Sequence, residues 1–109
     1  DTVIASIDLA PKGGDFTDHL LRMRKLTIAP GGVVPWHEHS HRPANIYILS
    51  GTIEEYRANR EVPIVHKVGE VAVEFGKGFA HWWKNTGSEP VELISADIFR
   101  AATKDAHMM

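Results

Sequence analysis

The feature that most constrains the fold is a succession of short apolar runs, each bounded by glycine, proline, asparagine or aspartate. The runs are rich in β-branched and aromatic residues, which is typical of strands in an all-β sandwich or barrel. No stretch longer than about ten residues repeats with the 3.6-residue period of a helix, so helices should be minor. Strands are predicted over residues 2–9, 20–29, 33–39, 45–50, 51–58, 63–68, 70–75, 80–85 and 91–99.

Two segments fall outside this strand pattern. Residues 10–19 contain proline, glycine and aspartate and are predicted to form a loop. Residues 101–109 are expected to be a short helix or a frayed end. The sequence shows no repeat, linker or low-complexity segment, so residues 1–109 are predicted to form a single domain.

The composition excludes several classes of function. The chain has 109 residues, of which 43% are hydrophobic and 24% charged, as in an ordinary globular domain. A formal net charge of -2 favours neither nucleic acid nor an anionic membrane surface. No apolar run approaches the roughly 18 residues that a membrane span needs. Because there is no cysteine, disulfides, thiolate metal sites and cysteine nucleophiles are excluded.

Histidine is the one residue type used unusually, with seven in the chain and His37, His39 and His41 at every second position. Residues i and i+2 of a strand share a face and lie roughly 6.6 Å apart, so His37 and His39 can converge on one ion. His41 joins them only if the strand continues, and Pro43 argues that it ends. His81, on another predicted strand, is the further candidate ligand.

The neighbours of these histidines make the pattern more specific. Gly31, five residues, His37-x-His39, four residues, Ala44, six residues and Gly51 follow one another in that order. This arrangement resembles the first motif of the cupin superfamily, with alanine at position 44 where the family has glutamate.

A second motif of the same superfamily is similar to a later stretch. Gly69, six residues, the segment 76–78, two residues, His81, three residues and Asn85 match it, with glycine where the family has proline and one extra residue in the first spacing. The two motifs and the segment between them cover residues 31–85, about half the chain.

The resemblance implies an all-β fold, an antiparallel jelly-roll barrel with little helix and a site inside it near one mouth. Transferred residue by residue, it implies His37, His39 and His81 as ligands of one divalent metal ion. The alternative is a metal-free cupin in which the same histidines line a polar pocket.

The missing glutamate at Ala44 shapes the expected chemistry. Three neutral imidazoles leave the metal's charge at +2, which suits iron, nickel, copper or zinc better than manganese. Open coordination positions remain for water, oxygen or substrate. Some cupins use a three-histidine iron site to activate oxygen on thiols, diketones or aromatic diols. We therefore expect a metal-dependent oxygenase or isomerase acting on a small polar molecule. The alternatives are a non-enzymatic small-ligand or metal-binding module and a metal-independent sugar isomerase or epimerase.

Other side chains could replace the glutamate as a metal ligand. His41 is the best candidate, and the roles of ligand, polar group beside a ligand and surface residue all stay open for it. Asn45 would offer an amide oxygen if the register shifted by one residue. Glu38 lies between His37 and His39 in the strand and should face away. His66 belongs to neither motif and is expected not to bind the metal.

Three residue types could complete a substrate pocket. Trp83 would form an aromatic wall beside His81, although ordinary core packing is the simpler expectation. Tyr47 would supply an acid or base if it faced inward, but its apolar surroundings favour core packing. Arg22 and Arg24 alternate on a strand and could anchor a substrate carboxylate or be solvated, and Arg42 could do the same at the pocket mouth.

Partners and compartment are expectations only. A small-molecule ligand is expected, with neither nucleic acid nor a membrane as partner. An open jelly roll has edge strands, and small cupins commonly pair through them, so a homodimer is expected. We expect a soluble protein, cytoplasmic or, if a signal peptide preceded Asp1, periplasmic.

Overall fold

Two antiparallel sheets make up the protein. The computed structural model describes residues 1–39, 42–76 and 78–100, and the predicted helix or frayed end at 101–109 lies outside these ranges. The strands are β1 Thr2–Asp8, β2 His19–Ile28, β3 Val33–Glu38, β4 Ala44–Ser50, β5 Ile53–Arg57, β6 Ile64–His66, β7 Val71–Glu74, β8 Ala80–Lys84 and β9 Val91–Arg100. All nine predicted strands are confirmed to within a few residues at each end.

Among the described residues, helix is confined to two short 3₁₀ turns, Ala10–Lys12 and Gly14–Phe16, within the segment predicted to be a loop. A five-stranded sheet has the order β1-β2-β9-β4-β7, and a four-stranded sheet has the order β3-β8-β5-β6. The all-β jelly roll is therefore confirmed. The expectation of a barrel needs one correction: in the part of the chain described, the two sheets face each other without hydrogen bonds joining them into a closed cylinder.

The interior changes from apolar to charged along the five-stranded sheet. Alternation in each strand sends every second side chain inward, and the register of β2, β9, β4 and β7 aligns these side chains in rows. Beginning at the apolar end, the rows are Ile28 and Val91; Leu26, Leu93 and Ile48; Arg24, Ser95, Ile46 and Ala72; and Arg22, Asp97, Ala44 and Glu74. The apolar rows form the core, and the last row places charged groups at one end of the sandwich.

The opposite surface of the same sheet is also apolar. Side chains that alternate with the inward ones point outward and are 40–67% exposed. We call this surface the outer apolar face, and it comprises Leu21, Met23, Tyr47, Leu49, Val71, Val73 and Phe75. Strand β1, at the edge of the sheet, is exposed along its whole length. A contiguous apolar surface of this kind commonly marks an interaction site.

Gly51 allows the tight connection between β4 and β5. Its φ is +84°, and a Cβ there would lie 2.9 Å from the carbonyl oxygen of Pro90. Only glycine combines this conformation with this close approach. No helix among the described residues is long and apolar enough to cross a membrane.

Candidate metal centre

The three predicted ligand histidines come together at the charged end of the interior. His37 on β3 and His81 on β8 are direct partners in the antiparallel register. His39 follows the end of β3, and its backbone N–H donates to the carbonyl of Phe79 at 2.8 Å. All three side chains are buried, and a register irregularity between Val34 and His37 lets both of these residues point inward although they are three positions apart. The side chains that sequence spacing grouped are therefore neighbours in space.

Each histidine uses its Nδ1 to bind an acceptor. Nδ1 of His37 lies 2.7 Å from the carbonyl oxygen of Pro35, and Nδ1 of His39 lies 2.8 Å from that of Arg42. Nδ1 of His81 lies 2.5 Å from a carboxylate oxygen of Glu55. These oxygens can only accept, so the hydrogen of each ring belongs on Nδ1. A neutral ring then carries its lone pair on Nε2.

The Nε2 atoms converge on one another and on a carboxylate. Nε2 of His37 lies 3.1 Å from that of His39 and 3.0 Å from that of His81. Oε2 of Glu74 lies 3.0 Å from Nε2 of His39 and 2.8 Å from Nε2 of His81. One ligating atom from each of the four residues lies within 4.8 Å of all the others. We call His37, His39, Glu74 and His81 the ligand group.

Glu74 corrects the expectation of a site without an acidic side chain. It lies on β7, directly opposite Ala44 in the register of β4 and β7, and both residues point inward. A carboxylate is thus present at the expected level of the interior, but it comes from the neighbouring strand. Manganese was disfavoured only because a carboxylate ligand was missing, and with Glu74 in the set it is no longer disfavoured.

The charges of the ligand group follow from its surroundings. Burial, partly offset by the Pro35 carbonyl, lowers the pKa of His37 to about 4, so its ring is neutral near pH 7. Burial alone would raise the pKa of Glu74, but the adjoining rings of His39 and His81 hold it below its usual range. Burial alone would lower the pKa of His81, but Glu55 and Glu74 outweigh it and raise that pKa.

These protonation states leave several electron pairs facing the same small volume. Neither carboxylate oxygen of Glu74 has a well-aligned hydrogen bond within the described part of the chain. Such an arrangement needs a cation, which is either a proton held between His81 and Glu74 or a metal ion. Neighbouring ligands of a metal at roughly 2.1 Å in octahedral geometry lie roughly 3 Å apart, which matches the observed separations. The residues therefore fit a divalent metal ion.

Several other predicted site residues lie elsewhere. Tyr47 is exposed on the outer apolar face, so the expectation that it packs in the core is wrong: Ile46 and Ile48 take the inward positions of β4. Asn45 and Glu38 also point outward. His41 lies outside the described residues.

Trp83 and His66 pack behind the ligand group. Trp83 is fully buried in the core, and its indole Nε1 lies 3.1 Å from Nδ1 of His81, on the side of that ring away from Nε2. The ring of His66 stacks on Trp83 with centroids 4.9 Å apart, and its Nε2 contacts Glu55. The side chain that borders the ligand group is instead Phe79, whose ring centroid lies 5.1 Å from that of His81.

The arginines predicted as anchors lie inside the sandwich. Arg22 binds Asp97 through two hydrogen bonds of 2.7 and 2.9 Å. Arg24 contacts Asp97 at 3.7 Å and Asp1 at 2.9 Å, and Arg42 contacts Asp97 at 3.4 Å. Burial, together with the charge of Arg22, lowers the pKa of Arg24 to about 10. Asp97 thus gathers three guanidinium groups inside the sandwich.

Two acidic residues of the site were missed by sequence reasoning. Glu74 ends the run "VAVE" of β7, where alternation places it on the same face as the buried Ala72. Glu55 in the run "IEEYR" of β5 shares a face with the buried Ile53. A carboxylate at an inward position of a strand was the available signal, but only the register shows which residues it faces.

Comparison with known proteins agrees with this geometry. The family model described as "Cupin domain" matches residues 24–97. The chain belongs to the cupin family. Its ligand group therefore lies where the resemblance in its sequence motifs placed a metal site.

Germin-like proteins are among the relatives of this cupin. It is 35% identical over 77 residues to germin-like protein subfamily 2 member 2 of Arabidopsis thaliana, which covers 68% of this chain and 35% of that protein. It is 31% identical over 77 residues to nectarin-1 of Nicotiana langsdorffii x Nicotiana sanderae, covering 68% of this chain and 33% of that protein. The chain spans about a third of the length of these curated relatives.

Solved structures share the fold. A double-stranded β-helix protein of Klebsiella pneumoniae matches with a TM-score of 0.66 at 21% identity, covering 92% of this chain and 75% of that one. A predicted oxalate decarboxylase of Thermotoga maritima matches with a TM-score of 0.61 at 20% identity, covering 91% and 92% of the two chains. An oxalate oxidase matches with a TM-score of 0.62 at 21% identity, covering 88% and 49%. At these identities the likeness shows the fold alone.

Proposed function

We propose that this cupin is a metal-dependent enzyme that acts on a small carboxylate. His37, His39, Glu74 and His81 hold one divalent transition metal ion. The observation that carries the proposal is the convergence of three histidine Nε2 atoms and one carboxylate oxygen in a buried volume. Each of the three histidine rings is already held by an acceptor at its Nδ1 atom, so the rings need no reorientation to bind an ion.

A bound metal ion supplies Lewis acidity and, if it is redox-active, electron transfer. The protein's own residues do the positioning. His37 and His81 are held by neighbouring strands, and Glu74 neutralises part of the ion's charge. This N₃O donor set suits iron, nickel, copper and zinc, and its carboxylate admits manganese as well. Phe79 lies against His39 and His81 and limits the approach of water.

The substrate class is supported by the arginines. In the row of inward side chains formed by Arg22, Asp97, Ala44 and Glu74, the small side chain of Ala44 separates the guanidinium groups from the ligand group. A small anion above Ala44 would have the metal on one side and Arg42 and Arg24 on the other. The similarity in fold to an oxalate oxidase and to a predicted oxalate decarboxylase supports the same class.

Two other functions stay as alternatives. A non-enzymatic binding module would hold the metal and a carboxylate without forming a product. A metal-independent isomerase or epimerase would instead use the histidines as acids and bases, and its turnover would survive exhaustive chelation. Oxygen uptake and carbon dioxide release, measured with oxalate, thiols, diketones and catechols in the metal-loaded protein, distinguish these possibilities from the proposal.

The first prediction concerns Glu74. After reconstitution, the native protein should bind about one divalent ion per chain. Glu74→Gln should weaken that binding by at least the roughly 10- to 100-fold that loss of a partner of a metal ligand typically costs. Competition titration against a chelator measures both affinities, and Glu61→Gln, an exposed site before β6, is the matched control. A native protein that binds no transition metal, or a Glu74→Gln variant with native affinity, contradicts the proposal.

The second prediction concerns Arg24. Replacing it by glutamine removes the charge and should weaken binding of oxalate to the metal-loaded protein by roughly 10- to 100-fold, because hydrogen bonds to charged groups are strong. Metal affinity should stay at the native value. Isothermal titration with oxalate, and with ethylene glycol as an uncharged comparison, measures this effect. The exposed Arg60→Gln serves as control. Equal affinity for the two compounds would refute a carboxylate substrate.

We also propose that a second copy of the chain covers the outer apolar face. Val73, 67% exposed on the edge strand β7, and Val62, 68% exposed between β5 and β6, form a matched pair. In sedimentation equilibrium the native protein should be a dimer, because burying this surface removes apolar area from water. Val73→Glu should be monomeric and Val62→Glu dimeric. A monomeric native protein, or a dimeric Val73→Glu variant, would be incompatible with this interface.

A further inference from the structure

A second buried carboxylate lies behind the ligand group. Glu55 is fully buried on β5, between β8 and β6 in the four-stranded sheet. Its oxygens face Nδ1 of His81, on the side of the ring opposite to the Nε2 atoms that converge with Glu74. Glu55 is therefore outside the ligand group but in direct contact with one of its members.

Three donors hold this carboxylate in place. Nδ1 of His81 lies 2.5 Å from Oε2 of Glu55, and Nε of Arg57 donates to the same oxygen at 2.8 Å. Nε2 of His66 lies 2.7 Å from Oε1. The stacking of His66 on the buried Trp83 fixes the position of its ring in turn. Burying a charged group this deeply costs free energy unless the group is paired with an opposite charge and hydrogen-bonded. Glu55 has both kinds of partner.

The register shows why Glu55 contacts only one histidine of the ligand group. Residues of β5 and β8 pair so that Arg57 is opposite His81 and Glu55 is opposite Trp83. Glu55 therefore reaches diagonally to His81. His37 and His39 use backbone carbonyls at the same atom, Nδ1. A carboxylate is a stronger acceptor than a carbonyl, so His81 is the histidine whose basicity the protein raises most.

From this geometry we infer that Glu55 is a positioning residue for metal binding. It fixes the tautomer and rotation of His81 and strengthens the donor character of its Nε2, while Arg57 and His66 fix Glu55 itself. The inference rests on the proposed function, because it requires that His81 bind the ion. A purely structural role for the same network would affect folding stability without changing metal affinity.

The test is metal affinity in the folded, metal-free protein, titrated with Zn²⁺ and with Co²⁺ against a competing chelator. Glu55→Gln should weaken binding of both ions by roughly 10- to 100-fold and alter the visible absorption spectrum of the Co²⁺ form. Glu54→Gln is the matched control, because Glu54 is the preceding residue of β5 and points to the opposite face. Thermal unfolding of the metal-free proteins measures the structural contribution separately.

A double-mutant cycle distinguishes action through His81 from a general effect. In a His81→Gln background, Glu55→Gln should cause no further loss of metal affinity, because its target is gone. If Glu55→Gln does not fold, Arg57→Gln removes one donor at a partly exposed position and should weaken metal binding severalfold.

Three results overturn the inference, and they are distinguishable. If the native protein has no affinity for either ion, both the proposed function and the positioning role of Glu55 are contradicted. A native protein that binds metal, with Glu55→Gln and Arg57→Gln variants of unchanged affinity, overturns the positioning role alone. An equal loss in the native and His81→Gln backgrounds would also contradict it.

Discussion

The site depends on one electrostatic constraint. Several nitrogen and oxygen lone pairs face one another in a buried volume, where water does not screen their repulsion. The acceptors at Nδ1 leave the Nε2 atoms of His37, His39 and His81 facing one another, and Glu74 adds a carboxylate oxygen at 2.8–3.0 Å from two of them. In a buried volume of low effective dielectric such an arrangement is unfavourable without a cation. Much of the surrounding structure can be understood as meeting this requirement.

The fold places that constraint at one end of a graded interior. Rows of aliphatic side chains stabilise the sandwich by burial. Arg24 already shares the row of Ile46, and the row beyond it holds Arg22, Asp97 and Glu74. Asp97 gathers three guanidinium groups on one side of Ala44, and Glu74 joins the histidines on the other. Cationic and acceptor-rich groups thus lie side by side, an arrangement suited to an anion that bridges a metal and an arginine.

Alternation and turn residues were enough to predict the strands, because strand formation here depends on local patterns that each segment carries itself. The grouping of His37 with His81 at one site was also accessible, through the resemblance of the two motifs to those of the cupin superfamily. The role of Glu74 could not be predicted from the sequence. Its position opposite Ala44 follows from the register of β4 with β7, and a single sequence does not reveal that register. The prediction that Tyr47 packs in the core was wrong. Its neighbours are apolar on both sides, so the sequence does not show the two-residue alternation by which Tyr47 points outward.

The displaced carboxylate has a chemical consequence. From β7, opposite Ala44, Glu74 reaches His39 and His81, and position 44 itself carries only a methyl group. The ligand set therefore keeps its acidic member. Anomalous diffraction from crystals of the metal-loaded protein tests this most directly. The account predicts one peak at roughly 2.0–2.2 Å from Nε2 of all three histidines and from an oxygen of Glu74. A peak bound by His41 in place of Glu74, or no peak among the histidines, would contradict it.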